Sequence, residues 1–221
     1  MKLTYDARRV DISSCLIRLT EILEKYPFFG SKIWVCTEFE MMVGEGKIDL
    51  MKTNWEKYLP IIMSTTDEST SPSSPAVLQI LDKNFRSGPT YKQQGIFQIY
   101  KNSTDIDTVI VDSSFPEPRL VLFEGDSSST ITQGFIVAEK NVIFEIINFS
   151  VFEGLVSLLA TYYIFHVNYP KSIPASSLLY FIQEHLLEFN DPASKKPARY
   201  KAFINTLKKA ADQEKEQLIE P

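Results

Sequence analysis

Apolar residues recur at helical spacing in the N-terminal part of the chain. Over residues 11–25, large aliphatic side chains return every three or four positions, which is typical of one face of an amphipathic helix. Asp11 is the expected N-cap of this helix, and a second helix is predicted between residues 30 and 43. The next apolar stripe predicts a helix over residues 48–63, which Pro60 is expected to kink or end.

A polar run rich in Ser and Pro follows at residues 64–75. It has no apolar period, which predicts an exposed, mobile loop. The Ser-Pro steps at Ser71 and Ser74 are either phosphorylation sites or parts of a solvated linker. A short helix is predicted after the loop, over residues 76–81.

The middle of the chain changes to short runs that are rich in β-branched residues. These runs predict strands at residues 108–112, 119–124, 134–139 and 141–146. Because the runs follow one another without intervening helices, they favour a small antiparallel meander. The compact turn at residues 139–141 is expected to join the last two strands as a hairpin.

Residues 149–172 are almost continuously apolar, which raises the question of a membrane span. Glu153 and His166 interrupt the stretch, and the part between them, residues 154–165, has only a dozen residues. A bilayer-crossing helix needs about twenty. The pattern therefore predicts a buried central helix over residues 151–167, in a water-soluble protein without a membrane anchor.

Two helices complete the prediction, one over residues 174–190 and one over 198–217 that becomes polar towards its end. The predicted fold class is α+β, with N-terminal helices, a central antiparallel β-meander and C-terminal helices around the buried helix 151–167. Residues 1–209 are expected to form a single domain, and residues 210–221 a polar, fraying tail.

Composition narrows the classes of function. The chain has 221 residues with fifteen Phe and ten Tyr, which disfavours disorder, and a net charge of −5, which gives no support to broad capture of a polyanion. The two cysteines, Cys15 and Cys36, do not form a disulfide-rich pattern, and the N-terminal residues lack the apolar core of a secretory signal. An intracellular protein is expected, with the nuclear and cytoplasmic compartments both open.

Six short motifs occur in order along nearly the whole chain. The first combines Thr4, Tyr5, the pair Arg8-Arg9 and Ile12. The others, in order, are Tyr26-Pro27-Phe28-Phe29, Glu38-Phe39, Leu120-Val121-Leu122-Phe123, Val142-Ile143-Phe144-Glu145 and Tyr163-Ile164-Phe165-His166-Val167-Asn168-Tyr169-Pro170. Over residues 3–209 this order resembles the C-terminal region of the animal "sterile alpha motif domain-containing protein 3-like" family.

The resemblance implies a shared fold and little chemistry. The family is largely uncharacterised, and no enzymatic activity is established for this region of it. Met41 stands where the family usually has a basic position, and the sterile alpha motif itself is not part of this chain. The resemblance therefore does not imply the polymerising activity of that motif.

Residues with catalytic or metal-binding spacing are sparse. The chain has no nucleophile elbow, phosphate loop or zinc pattern, so no catalytic residue, metal or cofactor is expected. His166 and His185 each lie on a predicted helix among apolar residues and are expected to be packed or partly exposed. His166 becomes a general-base candidate only if it faces Glu145 or Glu153 in a cleft.

A second candidate for chemistry is the run Phe123-Glu124-Gly125-Asp126, which places two carboxylates at the end of a predicted strand. Such a position can supply metal ligands, but a simple turn explains the same residues.

A cluster of basic residues near the C-terminus is the clearest charged feature. Its members are Lys195, Lys196, Arg199, Lys201, Lys208 and Lys209. This cluster is either the solvated face of a helix or a local nucleic-acid contact, which Arg8 and Arg9 would extend. The arginine pair has its own alternatives: ion pairs with Glu38 or Glu40 inside the fold, or a grip on an acidic peptide or phosphate.

Three hypotheses remain open. The leading one is a non-catalytic protein-interaction module, with Trp34, Tyr91 and Tyr100 as aromatic contacts for a protein partner or a second copy of the chain. The second is association with nucleic acid through the basic cluster and the arginine pair. The third is an enzyme, which requires a deep pocket lined by convergent polar groups.

Overall fold

The computed structural model describes residues 2–14, 17–65, 73–86, 95–111, 116–125 and 130–217. The chain divides into two compact units: the first comprises Met1–Ile48 and Ile96–Tyr169, and the second Asp49–Gly95 and Pro170–Pro221. The prediction of one domain over residues 1–209 stays a prediction.

Helices occur in both units, and the small sheet belongs to the first. The α-helices are α1 (Tyr5–Ser13), α2 (Leu19–Lys25), α3 (Lys32–Val43), α4 (Lys47–Ser64), α5 (Ser74–Phe85), α6 (Ile106–Val111), α7 (Val151–Ile164), α8 (Ile173–Phe181) and α9 (Ala198–Gln217). The strands are β1 (Phe97–Tyr100), β2 (Arg119–Glu124), β3 (Ile131–Ala138) and β4 (Asn141–Ile146). The α+β class is therefore confirmed.

The sheet of the first unit has the order β1-β2-β3-β4 and is mixed. β2, β3 and β4 form the predicted antiparallel meander, and the β3–β4 turn places Glu139 at φ 50° and Lys140 at φ 62°. Two positive φ values in a two-residue loop are typical of a type I′ hairpin turn. β1, which was not predicted, pairs with β2 in parallel.

The strand predicted at residues 108–112 is wrong, because residues 108–111 belong to α6 and residue 112 lies outside the described ranges. The parallel pairing of β1 with β2 explains the difference, since a parallel connection requires a crossover that is usually helical. α6 lies in this crossover and buries Val109 against Val121, Phe123 and Val137 of the sheet. Tertiary packing here outweighs the β-branched composition.

The predicted helix over residues 11–25 is also wrong, because the chain forms α1 and α2 with a break between them. Asp11 lies inside α1 and is not an N-cap. Its carboxylate accepts hydrogen bonds from Lys25 Nζ at 2.5 Å and from the Tyr26 hydroxyl. Residues 15 and 16 lie outside the described ranges.

α7 confirms the buried central helix, although it ends at Ile164 and not at residue 167. Eleven of its fourteen residues are buried. The helix approaches the sheet closely at Gly154, where a Cβ atom would lie 2.7 Å from Phe149 Cε2 and 3.0 Å from Leu120 Cδ2. Within the described ranges, no helix has both the length and the apolar character that a bilayer crossing requires.

The second unit consists of helices. α4, α8 and α9 confirm the predicted helices, and α4 continues through Pro60 to Ser64. α8 leads into a π-helical segment, Ile182–Leu186, in which the Leu187 amide donates to the Ile182 carbonyl. Of the predicted loop 64–75, Ser64 ends α4, Ser73 caps α5, and residues 66–72 lie outside the described ranges.

Candidate functional site

A cavity of about 490 Å³ lies in the second unit, between α4, the π-helical segment with the residues that follow it, and α9. Its lining combines apolar side chains with lysines, carboxylates, an amide, a phenol and an imidazole. The lining residues are Asn54, Lys57, Tyr58, Ile61, Glu184, His185, Glu188, Ile204, Leu207, Lys208 and Ala211.

Helical periodicity explains why these residues face one space. Residues 54, 57, 58 and 61 of α4 follow the spacing i, i+3, i+4, i+7, and so do residues 204, 207, 208 and 211 of α9. Residues at this spacing share one face of a helix. The third side comes from a π-helical turn, a local distortion that is frequent at functional sites.

A line of hydrogen bonds begins at the cavity wall. The Tyr58 hydroxyl lies 3.0 Å from His185 Nδ1, and His185 Nε2 lies 3.1 Å from the Tyr200 hydroxyl. Tyr200 in turn donates to Glu184 Oε2, and Lys196 Nζ forms an ion pair with Glu184 Oε1. The His185 ring also stacks on Phe181 with the centroids 5.7 Å apart.

Burial determines the protonation states of the imidazole and the two phenols in this line of hydrogen bonds. Desolvation lowers the pKa of His185 below its ordinary value, with an opposing effect from Glu184 and a further lowering by Lys208. Desolvation also raises the pKa of Tyr58 and of Tyr200. At neutral pH the imidazole is therefore uncharged and both phenols keep their protons.

Asn54 fixes the end of the π-helical segment in place. Its amide nitrogen donates to the Leu186 carbonyl and to Glu188 Oε1, both at 3.0 Å, and its side chain is 4% exposed. Lys57 Nζ lies 3.4 Å from Asn54 Oδ1. One wall of the cavity is thus held by a buried amide.

Five members of the predicted basic cluster are exposed, and one is not available as a contact. Lys195, Arg199, Lys201, Lys208 and Lys209 lie at the surface of the second unit. Lys196 is half-buried and pairs with Glu184, and it also donates to Asn190 Oδ1 and the Asp191 carbonyl, each at 3.1 Å.

Arg8 must be removed from the predicted contact patch, because its side chain is fully buried and pairs with Glu38, which is also fully buried. Its guanidinium lies over the Phe28 ring at 5.5 Å from the centroid. Arg9 lies 3.3 Å from Glu38 Oε1 and donates to the Ile164 carbonyl at 2.9 Å. Both arginines therefore take the alternative in which they pair inside the fold.

The three predicted contact aromatics lie in different settings. Trp34 is 43% exposed on α3 and packs edge-on against Phe28. Tyr100 is half-buried, packs against Phe123 and donates to Gln98 Oε1, so it belongs to the small core under α6 and does not face solvent freely. Tyr91 lies outside the described ranges.

The other sequence candidates for chemistry are His166 and the carboxylates Glu124 and Asp126. His166 does not lie on a helix; it follows α7, exposed, at φ 53°, and Glu153 pairs with Lys32 at 2.7 Å. Glu124 ends β2, and Asp126 lies outside the described ranges. In the part of the chain that the structure describes, no group of three or more His, Cys, Asp or Glu residues is placed to hold a metal ion.

The cavity was not predicted from the sequence, which treated His185 as a packed residue. One signal was present: the polar residues Asn54, Lys57 and Tyr58 share a face with Ile61, and this mixed face is unlike a purely apolar core stripe. Periodicity gives no information on which helices meet, so it did not join Tyr58 to His185.

Comparison with known proteins gives no family for the chain: no protein-family model matches it, and neither a curated protein nor a solved structure matches it. The proposals that follow therefore rest on the residues and contacts of this chain alone.

Proposed function

We propose that this chain is a non-catalytic protein-interaction module, and that the cavity of the second unit receives a segment of a partner protein. The cavity is the observation that supports this proposal. A volume of about 490 Å³, lined by aliphatic side chains and a few convergent polar groups, is typical of a ligand-binding pocket. The apolar part, Ile61, Ile204, Leu207 and Ala211, would receive an apolar side chain of the partner.

The charges at the cavity favour an acidic partner segment. Lys57 and Lys208 are exposed and line the cavity, and within the described residues Lys208 has no carboxylate at ion-pair distance. Of the two carboxylates in the lining, Glu184 has its negative charge neutralised by Lys196, and Glu188 accepts a hydrogen bond from Asn54. The lysines are thus the charged groups with most capacity left for a ligand.

Binding fits the lining better than catalysis does. The described lining residues include no Ser, Thr or Cys that could act as a nucleophile. Both ring nitrogens of His185 are already engaged by phenol hydroxyls, which leaves neither nitrogen facing the cavity as a base. The enzyme hypothesis required a deep pocket lined by convergent polar groups, and the described lining of this cavity offers no hydroxyl or thiol nucleophile beside a free imidazole nitrogen.

A paired substitution on α9 tests the proposal. Ala211 lines the cavity, and Ala211→Trp would fill part of it, whereas Ala202→Trp adds the same side chain at an exposed position outside the lining. The probes are peptides selected on the immobilised wild-type chain from a random phage-displayed library. We expect peptides that combine Asp or Glu with an apolar residue, and at least a tenfold weaker affinity for A211W than for A202W.

Two results would overturn the proposal. One is a selection that enriches no peptide above background on the folded wild-type chain. The other is a set of peptides that bind A211W and the wild type equally, because such peptides would bind elsewhere on the surface.

The second candidate function is nucleic-acid association through the exposed members of the basic cluster. Lys201 and Lys209 are exposed on α9 and do not line the cavity, so Lys201→Glu and Lys209→Glu test this function separately. Binding to single-stranded RNA or DNA should weaken steeply with salt and be lost in the double variant. Retention that does not depend on salt, or no retention, contradicts this candidate.

Two broader statements are also proposals. Membership of the "sterile alpha motif domain-containing protein 3-like" family rests on the order of the six short motifs along the sequence, and a profile built from that family's C-terminal region would test it. An intracellular address agrees with the free thiol of Cys36, and a fluorescent fusion imaged in cells would test that.

A further inference from the structure

Four side chains of the second unit form a continuous hydrogen-bonded line along the wall of the cavity. The line runs from Tyr58 on α4 through His185 to Tyr200 on α9, and then to Glu184. Of these, Tyr58, His185 and Glu184 line the cavity, and Tyr200 is buried at 4% exposure. The direction of each bond follows from the number of protons available.

Glu184 fixes the first direction. Its Oε1 pairs with the ammonium of Lys196, so the carboxyl group is ionised and can only accept. Tyr200 has one hydroxyl proton and donates it to Glu184 Oε2. The Tyr200 oxygen can therefore only accept from His185, which requires a proton on His185 Nε2.

The imidazole fixes the second direction. A neutral histidine carries a proton on one ring nitrogen only, so a protonated Nε2 leaves Nδ1 as an acceptor. Tyr58 must then donate its hydroxyl proton to Nδ1, 3.0 Å away. Burial of the ring, which lowers the pKa of His185, keeps it in this neutral form at pH 7.

We infer that this directed line makes the Tyr58 oxygen a hydrogen-bond acceptor towards the cavity, so that the bound segment must present a donor, a backbone N–H, at that point. The ligand half of this inference rests on the proposed function; the direction of the line does not. An acidic peptide has both groups that the cavity then selects: a carboxylate for Lys57 or Lys208 and an N–H for Tyr58.

Protonation of His185 would reverse the hydrogen bond between Tyr58 and His185. An imidazolium donates from both nitrogens, so Nδ1–H would point at the Tyr58 oxygen and the hydroxyl proton of Tyr58 would turn towards the cavity. Tyr58 would change from acceptor to donor. The titratable and charged groups around His185 in this site are Lys57 and Tyr58 from α4, Glu184 and Glu188 from the π-helical side, and Tyr200 and Lys208 from α9, with Lys196 behind Glu184.

The direction can be tested without a ligand. The 221-residue chain has two histidines, so ¹⁵N chemical shifts of the imidazole nitrogens report His185 individually, with His166 as an internal reference. We expect the Nε2–H tautomer of His185 in the wild type and a mixture in Tyr200→Phe, which removes the acceptor. Tyr180→Phe, on the neighbouring ring 6.1 Å from Tyr200, is the control that should leave the tautomer unchanged. An Nδ1–H tautomer in the wild type would overturn the inference.

The ligand half is tested with the peptides selected on the wild-type chain. Backbone N-methylation is scanned along one such peptide; at one position it should weaken binding to the wild type about tenfold and leave binding to Tyr58→Phe unchanged. Tyr200→Phe should weaken the unmodified peptide severalfold although Tyr200 is outside the cavity lining. This positioning effect of Tyr200 should be absent in the Tyr58→Phe background.

The outcomes separate the two proposals. If no peptide binds the folded chain, the proposed function fails and the ligand half fails with it, while the ¹⁵N shifts still decide the direction. If peptides bind and A211W abolishes binding, but every N-methylated peptide affects the wild type and Tyr58→Phe equally, only the role of Tyr58 is refuted. Loss of the fold of the second unit is recognised from the fluorescence of Trp55, which is buried in that unit. If Tyr58→Phe has lost its fold, Tyr200→Phe takes its place in the scan, and the penalty for N-methylation should be smaller there than in the wild type.

Discussion

Replacing Glu38 with Gln is expected to destabilise the first unit strongly. Glu38 is fully buried, and its carboxylate neutralises the fully buried Arg8 and lies 3.3 Å from the partly buried Arg9. Gln keeps the shape of the side chain but removes its charge, so two guanidinium groups lose their counter-ion in a desolvated site. Removing one partner of a buried ion pair costs about 3–5 kcal/mol, against about 5–15 kcal/mol for the whole stability of a typical domain.

Tryptophan fluorescence can follow the first unit alone. The chain has two tryptophans, Trp34 in the first unit and Trp55 in the second, so a Trp55→Phe background leaves one reporter. Trp34 packs on Phe28, and the Arg8 guanidinium lies over the same ring. Urea titration of this background, with and without Glu38→Gln, gives the difference in the free energy of unfolding of the first unit.

Glu40→Gln is the matched control. Glu40 is half-buried and accepts a hydrogen bond from the Gly46 amide at 3.1 Å, so the same substitution should cost about 1 kcal/mol there. The reasoning is refuted if Glu38→Gln lowers the free energy of unfolding no more than Glu40→Gln does, because the buried charges would then not depend on one another.

Three further predictions concern His185, Cys36 and Gly154. Because the pKa of His185 is lowered in the folded chain, the free energy of unfolding should be constant above the ordinary histidine pKa and should fall as the pH drops below about 6.5. His185→Asn should remove this pH dependence, which urea titrations at several pH values would measure. Burial raises the pKa of the Cys36 thiol to about 11, so mass spectrometry should show alkylation by iodoacetamide at pH 8 far slower than for an unfolded control. Gly154→Ala would place a Cβ 2.7 Å from Phe149 Cε2 and should cost about 1–3 kcal/mol in thermal unfolding, whereas Gly30→Ala, with its nearest contact at 3.7 Å, should cost little.

The helix α7 and the strands β2 and β4 were predicted well, because the apolar pattern within each segment favours one type of element. The apolar stretch after Ser150 is too short to span a bilayer and too apolar to be exposed, and α7 is accordingly buried. β2 and β4 have the boundaries predicted for them, because both are short β-branched runs bounded by turn residues.

The elements that were predicted wrongly depend on contacts between distant parts of the chain. Residues 108–111 have strand composition, yet they form a helix, because the parallel pairing of β1 with β2 requires a crossover there. β1 itself has only four residues and gains its pairing from β2, 23 positions later. Local propensity carries no information about such a partner.

The candidate site could not be predicted from the sequence for the same reason. Tyr58, His185 and Tyr200 are separated by 127 and 15 positions, and none belongs to a motif of known chemistry. Only the packing of α4 and α9 against the π-helical segment brings them together. The basic cluster was visible as a charge pattern, but its sequence does not distinguish an exposed lysine from one that pairs with a half-buried carboxylate.

The difference between an exposed lysine and one that pairs with a carboxylate can be measured at Lys195 and Lys196. Both substitutions Lys195→Met and Lys196→Met lower the net charge by one, so a purely electrostatic role in nucleic-acid binding predicts similar effects from the two. Lys195 is exposed, whereas Lys196 pairs with Glu184 at the end of the hydrogen-bonded line. Without that cation, the Glu184 carboxylate loses the ion pair that holds it in place beside Tyr200, and a Tyr200 hydroxyl released from Glu184 can then donate to His185 Nε2. Lys196→Met should therefore shift the ¹⁵N signals of His185 towards the Nδ1–H tautomer, and Lys195→Met should leave them in place; equal signals in both variants would mean that Lys196 does not control the direction of the line.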